Sequence, residues 1–279
     1  MANNALVENG TLSQVVIATD GSEYSAGAIR TGVALAKATG AGLVGLSIVL
    51  YNSEYSTLVP NLGEAAEQRA REALQSFIQE AGDKAETATK ESSDLAQGIV
   101  EGATDHGADV IVMGRRGKRG LARMMVGDAT VKVIGNARCP VLVVPRAGRL
   151  WEKRVLLATD GSKYSEAASR AAGHLAKQAG LPITVVSVVT SSHSEARRAE
   201  AKAAVAAKVE FLKHMGVEVD GRVVEGRPDD AIVKAAEDVG ADLIVLGSHG
   251  RTGLVNVLLG SVAERVIGQA VCPVLVVKP

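Results

Sequence analysis

Cysteine is scarce in this 279-residue chain: there are two, Cys139 and Cys272, 133 positions apart. So few, so far apart, build neither a disulfide framework nor a cysteine metal cluster, and a reducing cytoplasm is the expected compartment. Net charge is also missing, with 31 Lys and Arg against 31 Asp and Glu. That balance removes the usual electrostatic grounds for binding nucleic acid or an anionic membrane. No apolar run approaches the roughly 18 residues of a membrane helix. The opening MANNALVENG carries no basic-then-apolar leader pattern, so the sequon at Asn9-Gly10-Thr11 is expected to stay unmodified. Aromatics make up only 3%, with a single tryptophan, Trp151. What is present is ordinary globular material, 47% apolar and 22% charged. At about 150 residues per domain, the length predicts two domains.

The chain contains itself twice. VVIATDGSEYS, starting at Val15, returns as VLLATDGSKYS at Val155, 140 residues later. GADVIVMG, ending at Gly114, returns as GADLIVLG, ending at Gly247, and CPVLVVP at Cys139 returns as CPVLVVK at Cys272, both 133 residues on. Three anchors in one order mean two homologous domains, 1–149 and 150–279. A repeat of this length is too long for a solenoid unit. The first half is longer by seven residues, which fits YNSEYSTLVPNLG after Leu50 against TSSHSEA after Val189. The join falls in RAGRLWEK (Arg146–Lys153), where Trp151 is expected to pack.

In the second copy, short β-branched runs alternate with longer helical periods. Strands are predicted over Arg154–Thr159, Ile183–Val189, Val217–Val224, Asp242–Leu246 and Val274–Val277. Helices are predicted over Glu166–Ala179, Ser194–Met215, Asp229–Val239 and Ser261–Gln269, with Gly180, Gly216 and Gly240 closing the first three. Such alternation predicts a doubly wound α/β sandwich around a parallel sheet, present twice.

Ligands in such sheets sit beyond the carboxyl ends of the strands, which singles out the loops after strands one and four. After strand four comes Gly247-Ser248-His249-Gly250-Arg251, and then Gly260-Ser261 opens a helix. Glycines admit a ligand close to the backbone, and a helix start offers free N–H donors and the positive dipole end. The same residues also read as turn glycines and an N-cap serine, and spacing alone does not separate the two readings.

The order ATDGS, helix, buried strand, GADLIVLGSHGRTG, GSVAERVI, CPVLVV resembles the universal stress protein family, once in each half. The family's ATP signature is G-x2-G-x9-G-[S/T], which Gly247, Gly250, Gly260 and Ser261 match at every position. The resemblance implies a Rossmann-like fold of the adenine nucleotide α-hydrolase type and ATP bound with Mg. Its site would comprise Ala158, Thr159 and Asp160 beside the adenine, with the Val188 backbone on the base. Leu246, Gly247, Ser248, His249, Gly250, Arg251, Gly260, Ser261 and Val262 would surround ribose and phosphates. Asp160 is further implied to lie near the metal, although its chemistry equally suits an N-cap of the next helix. Some ATP-binding relatives place a hydroxyl where this chain has Ala263, a loss of about 1 kcal/mol.

The first copy keeps the spacing at Gly114, Gly117 and Gly127 but has Asp128 where the second has Ser261. As a helix N-cap aspartate equals serine, whereas beside a phosphate it repels. Arg115, Arg116, Lys118, Arg119 and Arg123 crowd the same loop. They either rebuild an anion site or pair with Asp128 and close it. The first copy is therefore expected to bind ATP weakly or not at all, and a weak site there would comprise Ala18, Thr19, Asp20, Ile48, Gly114, Arg115, Gly117, Gly127 and Thr130.

Other signals lead nowhere. Gly40-Ala41-Gly42-Leu43-Val44-Gly45 has dinucleotide spacing, but it runs from helix into strand, the reverse of what that site needs. The histidines form no metal pair, and Ser248-His249 shows no acidic partner in sequence for a hydrolase triad. Arg197–Lys213 reads as a basic surface helix. No catalytic residue is assigned, and the expected function is an ATP-linked regulator of the stress response. The alternatives are a slow ATPase or a nucleotide-independent scaffold. The resemblance also implies that Val141–Val144 and Val274–Val277 pair within the chain, and a homodimer of such chains is a further expectation.

Overall fold

The computed structural model describes residues 4–50, 62–82, 85–115, 126–251 and 258–279. Its first half runs α1 (Ala5–Glu8), β1 (Gln14–Ala18), α2 (Ala26–Thr39), β2 (Gly42–Leu50), α3 (Leu62–Ala81), β3 (Glu86–Ser92), α4 (Leu95–Asp105), β4 (Val110–Gly114), α5 (Asp128–Asn136) and β5 (Val141–Val144). Its second half runs β6 (Val155–Ala158), α6 (Lys163–Ala179), β7 (Ile183–Val189), α7 (Glu195–His214), β8 (Val219–Glu225), α8 (Pro228–Asp238), β9 (Leu243–Gly247), α9 (Ser261–Gln269) and β10 (Val274–Val277). The seven-residue surplus of the first half falls on residues 51–61, outside the described residues.

The ten strands among the described residues form one sheet, in the order β3-β2-β1-β4-β5-β10-β9-β6-β7-β8. Each half is parallel throughout, and the inner strands β1, β4, β6 and β9 are buried nearly end to end, as strands covered on both faces are. The halves meet at one antiparallel seam, with Val274 opposite Val143, Leu275 opposite Leu142 and Val276 opposite Val141. Every one of these six residues is buried. The seam joins two short valine-rich strands that would otherwise be exposed edges, and so removes a site of unwanted pairing. The intrachain pairing expected from sequence is therefore present. Helices cover both faces. Ile29, Phe77, Leu175 and Leu212 belong to one core, and Ile99, Ile134, Ile232 and Ile267 to the other.

Helix ends follow local chemistry. Gly180 takes the left-handed conformation (φ 66°) and closes α6 onto the Ala176 and Lys177 carbonyls. Helix α6 begins three residues before its predicted start, because Ser162 caps it by accepting the Ser165 N–H. The N-cap role considered for Asp160 thus belongs to Ser162. A similar correction holds at α9 and α5, whose N-caps are Gly260 and Gly127. Ser261 and Asp128 are instead the first helical residues. Strand β8 starts two residues late because Gly216 (φ 82°) and the Val217 N–H bond to Leu212 O are spent closing α7.

The join is tightly packed. Trp151 is buried in the same core as Leu6 of α1. A Cβ at Gly27 would stand 2.1 Å from the Pro145 carbonyl, so α2 lies directly on the linker backbone. On the opposite half, the Gln178 side chain donates to Gly10 O at 2.8 Å and holds the N-terminal segment against α6.

Among the described residues, two cations cross between the halves. Arg115 Nη1 donates to the carbonyls of Ile267 (2.5 Å), Gly268 (2.9 Å) and Ala270 (2.8 Å) at the C-terminal end of α9. Lys278 Nζ donates to Gly135 O at 2.8 Å, at the corresponding end of α5. Each positive charge thus satisfies carbonyls that a helix terminus leaves unpaired.

Burial pushes the Cys139 thiol up to about 12 and the Cys272 thiol up to about 11. At pH 8 roughly one in ten thousand and one in a thousand, respectively, is thiolate. Native protein at that pH should therefore resist iodoacetamide, with both thiols alkylated once denaturant unfolds the chain. Two rapid additions to the native protein, seen by intact mass, would contradict this burial.

Candidate functional site

The loops after β6 and β9 meet beyond the carboxyl ends of the strands, where strand order reverses. Between them and the start of α9 lies a cavity of 420 Å³. All thirteen residues expected from the second copy line it: Ala158, Thr159, Asp160, Val188, Leu246, Gly247, Ser248, His249, Gly250, Arg251, Gly260, Ser261 and Val262.

Backbone contacts explain the glycines. A Cβ at Gly247 would fall 2.7 Å from the Tyr164 backbone, and one at Gly250 would fall 3.0 Å from Asp160 Oδ2. At Gly260 it would lie 3.1 Å from Ser248 O, the same carbonyl that accepts the Gly260 N–H at 2.8 Å. The start of α9 is thereby fastened to the loop after β9. No side chain caps α9, and its first backbone closure beyond the cap runs from Glu264 N–H to Gly260 O at 3.0 Å. The early N–H donors of α9 therefore belong to the wall of the cavity.

Asp160 ties the two loops together. Its Oδ1 accepts the Ser162 N–H at 3.0 Å and its Oδ2 accepts the Arg251 N–H at 2.8 Å. The Thr159 hydroxyl donates to Ser165 Oγ at 3.1 Å, fixing the turn from below. His249 stacks at a tilt on Tyr164, with 5.1 Å between centroids, and its Nδ1 lies 3.0 Å from Ser248 Oγ.

Ala263, noted above for its missing hydroxyl, also lines the cavity, as do Ser165, Val186, His193, Arg197, Pro228 and Ile232, which were not anticipated. Val186 was readable, because strand periodicity puts it on the same face as Val188. Ser165 recurs in both ATDGS repeats, so it too was available. His193, Arg197 and Ile232 arrive from the connection after β7, from α7 and from α8, and no local spacing links them to the motif.

The first half repeats the turn but spends its polar groups differently. Thr19 N–H bonds Leu46 O at 2.9 Å, as Thr159 N–H bonds Val186 O at 2.8 Å. Asp20 Oδ1 accepts the Ser22 N–H, as Asp160 Oδ1 accepts the Ser162 N–H, and also accepts the Ser22 and Ser25 hydroxyls. Arg115 is committed to α9 of the other half. Asp128 pairs with Lys132 at 3.0 Å, one turn along α5, and is 81% exposed. Thr130 is buried, and its N–H closes on Gly127 O. Ala18 and Gly114 stand at the ends of β1 and β4, and Ile48 is on β2. A Cβ at Gly114 would lie 2.2 Å from Tyr24 O. Gly117 and the cations Arg116, Lys118, Arg119 and Arg123 lie outside the described residues.

The family model described as "Universal stress protein family" matches residues 12–145 and again 152–278. The chain belongs to the universal stress protein family. A universal stress protein of Methanocaldococcus jannaschii is 38% identical over 146 residues, covering 48% of this chain and 86% of that relative. Several other curated family members are longer, and the matches span 57–62% of their length. Among solved structures, a universal stress protein from Archaeoglobus fulgidus superposes with a TM-score of 0.74 at 25% identity, covering 95% of this chain and 98% of that one. Another from the same organism, in complex with dAMP, is 29% identical over 45% of this chain and 98% of its own, with a TM-score of 0.40. The family and the tandem α/β architecture anticipated from ATDGS and the G-x2-G-x9-G-S spacing are those of this universal stress protein.

Proposed function

We propose that this universal stress protein binds one ATP, with Mg, in the cavity of its second half and acts as a nucleotide-linked regulator. The observation that carries the reading is the convergence of all thirteen motif residues on one cavity. Its 420 Å³ falls within the range typical of small-molecule sites. Val186, Val188, Ile232 and Leu246 supply an apolar wall suited to a flat base. The uncapped start of α9 and the Ser261 hydroxyl supply donors suited to phosphate oxygens.

The residues fit the metal as well as the nucleotide. Asp160 keeps one lone pair on each oxygen beyond the N–H bonds already described. Among the described residues no three His, Cys, Asp or Glu side chains form a metal-binding group. Mg ordinarily needs only one or two carboxylates when phosphates and water complete its shell. Bound there, the ion would neutralise phosphate charge, and Asp160 would orient it from the loop after β6. The protein's own part is to hold the nucleotide between the apolar wall and α9.

The test is calorimetric titration of nucleotide-stripped protein with Mg-ATP. One site per chain is expected, because Asp128 and the commitment of Arg115 to the other half disfavour the first half. Two sites would overturn that asymmetry, and no heat at any concentration would sink the nucleotide reading altogether.

A further inference from the structure

The cavity has two arginines at its wall, Arg197 of α7 and Arg251 after β9, and both are held by one carboxylate outside the motif. Glu200 Oε2 accepts Arg251 Nη1 at 2.6 Å and Arg197 Nη1 at 3.2 Å. The backbones beneath these side chains are fixed. Arg251 N–H is bound by Asp160, and Arg197 N–H donates to the N-cap Ser194 Oγ at 3.2 Å. Each guanidinium therefore swings on an anchored Cα. Side-chain exposures of 25% for Arg197, 45% for Arg251 and 53% for Glu200 keep all three in contact with water.

Exposed ion pairs of this kind contribute little to stability, so they exchange readily for a stronger acceptor. A phosphate chain is such an acceptor, because guanidinium matches its oxygens two at a time. We propose that Arg197 and Arg251 are the receptor for the distal phosphates of the nucleotide, and that Glu200 is an internal competitor for them. The device makes the cavity select by phosphate number. A nucleoside or monophosphate leaves both arginines on Glu200, whereas a di- or triphosphate draws them off. Because Glu200 is carried on α7, occupancy by a polyphosphate also changes what holds α7 to the loop after β9. This inference rests on the adenine-nucleotide reading of the same cavity and adds to it the discrimination between phosphate states.

The experiment is competition titration of the full chain with adenosine, AMP and Mg-ATP, in wild type, Arg197→Ala, Arg251→Ala and Glu200→Gln. Each arginine variant is expected to lose about tenfold in ATP affinity and less than about twofold for AMP and adenosine. Glu200→Gln, which removes the competitor and keeps the shape, is expected to tighten ATP by about threefold to tenfold with adenosine unchanged. Equal losses for all three ligands in the arginine variants, or weaker ATP binding in Glu200→Gln, would overturn the selection device while leaving nucleotide binding intact. Failure of the wild type to bind any of the three would overturn both. Thermal unfolding of each variant separates a lost contact from a lost fold.

Discussion

Ser261→Asp should weaken Mg-ATP binding to the second half by a hundredfold to a thousandfold while the melting temperature moves little. The side chain would place a carboxylate at the first residue of α9, on the wall of the cavity where phosphate charge is proposed to sit. Two like charges about 4 Å apart repel by about 4 kcal/mol at an effective dielectric of 20, which is close to a thousandfold in affinity. The helix itself does not suffer, since an acidic residue in the first turn suits the dipole. Asp128 occupies this position in α5, which is fully formed. Part of the repulsion can be relieved as it is there, where Lys132 sits four residues on. The equivalent residue in α9 is Arg265, whose guanidinium lies 3.8 Å from the buried Asp229 Oδ1. A new carboxylate at 261 competes for that arginine, which sets the lower end of the range. Calorimetry with Mg-ATP reads the loss. An unchanged affinity would mean that the start of α9 does not face phosphate.

Much of this arrangement was legible because repetition is a strong signal. The three anchors showed the repeat that the family model matches twice, and the strands Ile183–Val189 and Val274–Val277 and the helix Ser261–Gln269 have the bounds that their periodicity predicts. The motif side of the cavity was legible too, since Gly247, Gly250 and Gly260 occur where a Cβ would fall about 3 Å from neighbouring backbone or from Asp160. What spacing could not show was which side chains arrive from elsewhere in the chain. Arg197, His193 and Ile232 reach the cavity through tertiary packing, and Glu200 matters only because its carboxylate on α7 reaches both Arg197 and Arg251. Capping was misread for a related reason. Serine and aspartate are good N-caps by type, but the extended backbone of Gly260 and Gly127 (ψ 142° and 144°) places them at the cap and moves Ser261 and Asp128 inside the helix. The distinction has consequences, because an N-cap side chain folds back on its own helix, whereas a first-turn side chain is available to a ligand.

Arg115 shows the limit most clearly, and its replacement carries the second large effect. Its place in the first copy, directly after Gly114, made it a candidate anion ligand. The fold instead carries it across the seam, where one guanidinium nitrogen serves three carbonyls of α9. Burial lowers its pKa, so the charge is held there against a desolvation cost. Hydrogen bonds from a charged donor are worth about 1.5–3 kcal/mol, and a cation at a partly buried helix C-terminus adds up to about 2 kcal/mol. Arg115→Ala should therefore cost about 3 kcal/mol, and lower the melting temperature by about 6 °C or more, whereas Arg115→Lys should recover part of the loss. Nucleotide binding provides the decisive second measurement. Helix α9 has only nine residues, with Arg115 at one end and the cavity at the other. Loosening its C-terminus should weaken Mg-ATP in the second half while leaving the stoichiometry at one. An anion ligand of the first half would behave in the opposite way: the melting temperature would stay within about a degree, and binding would be lost from a second site. That outcome would return Arg115 to the role its position in the sequence suggested, and would remove the link between the first half's β4 loop and the start of α9.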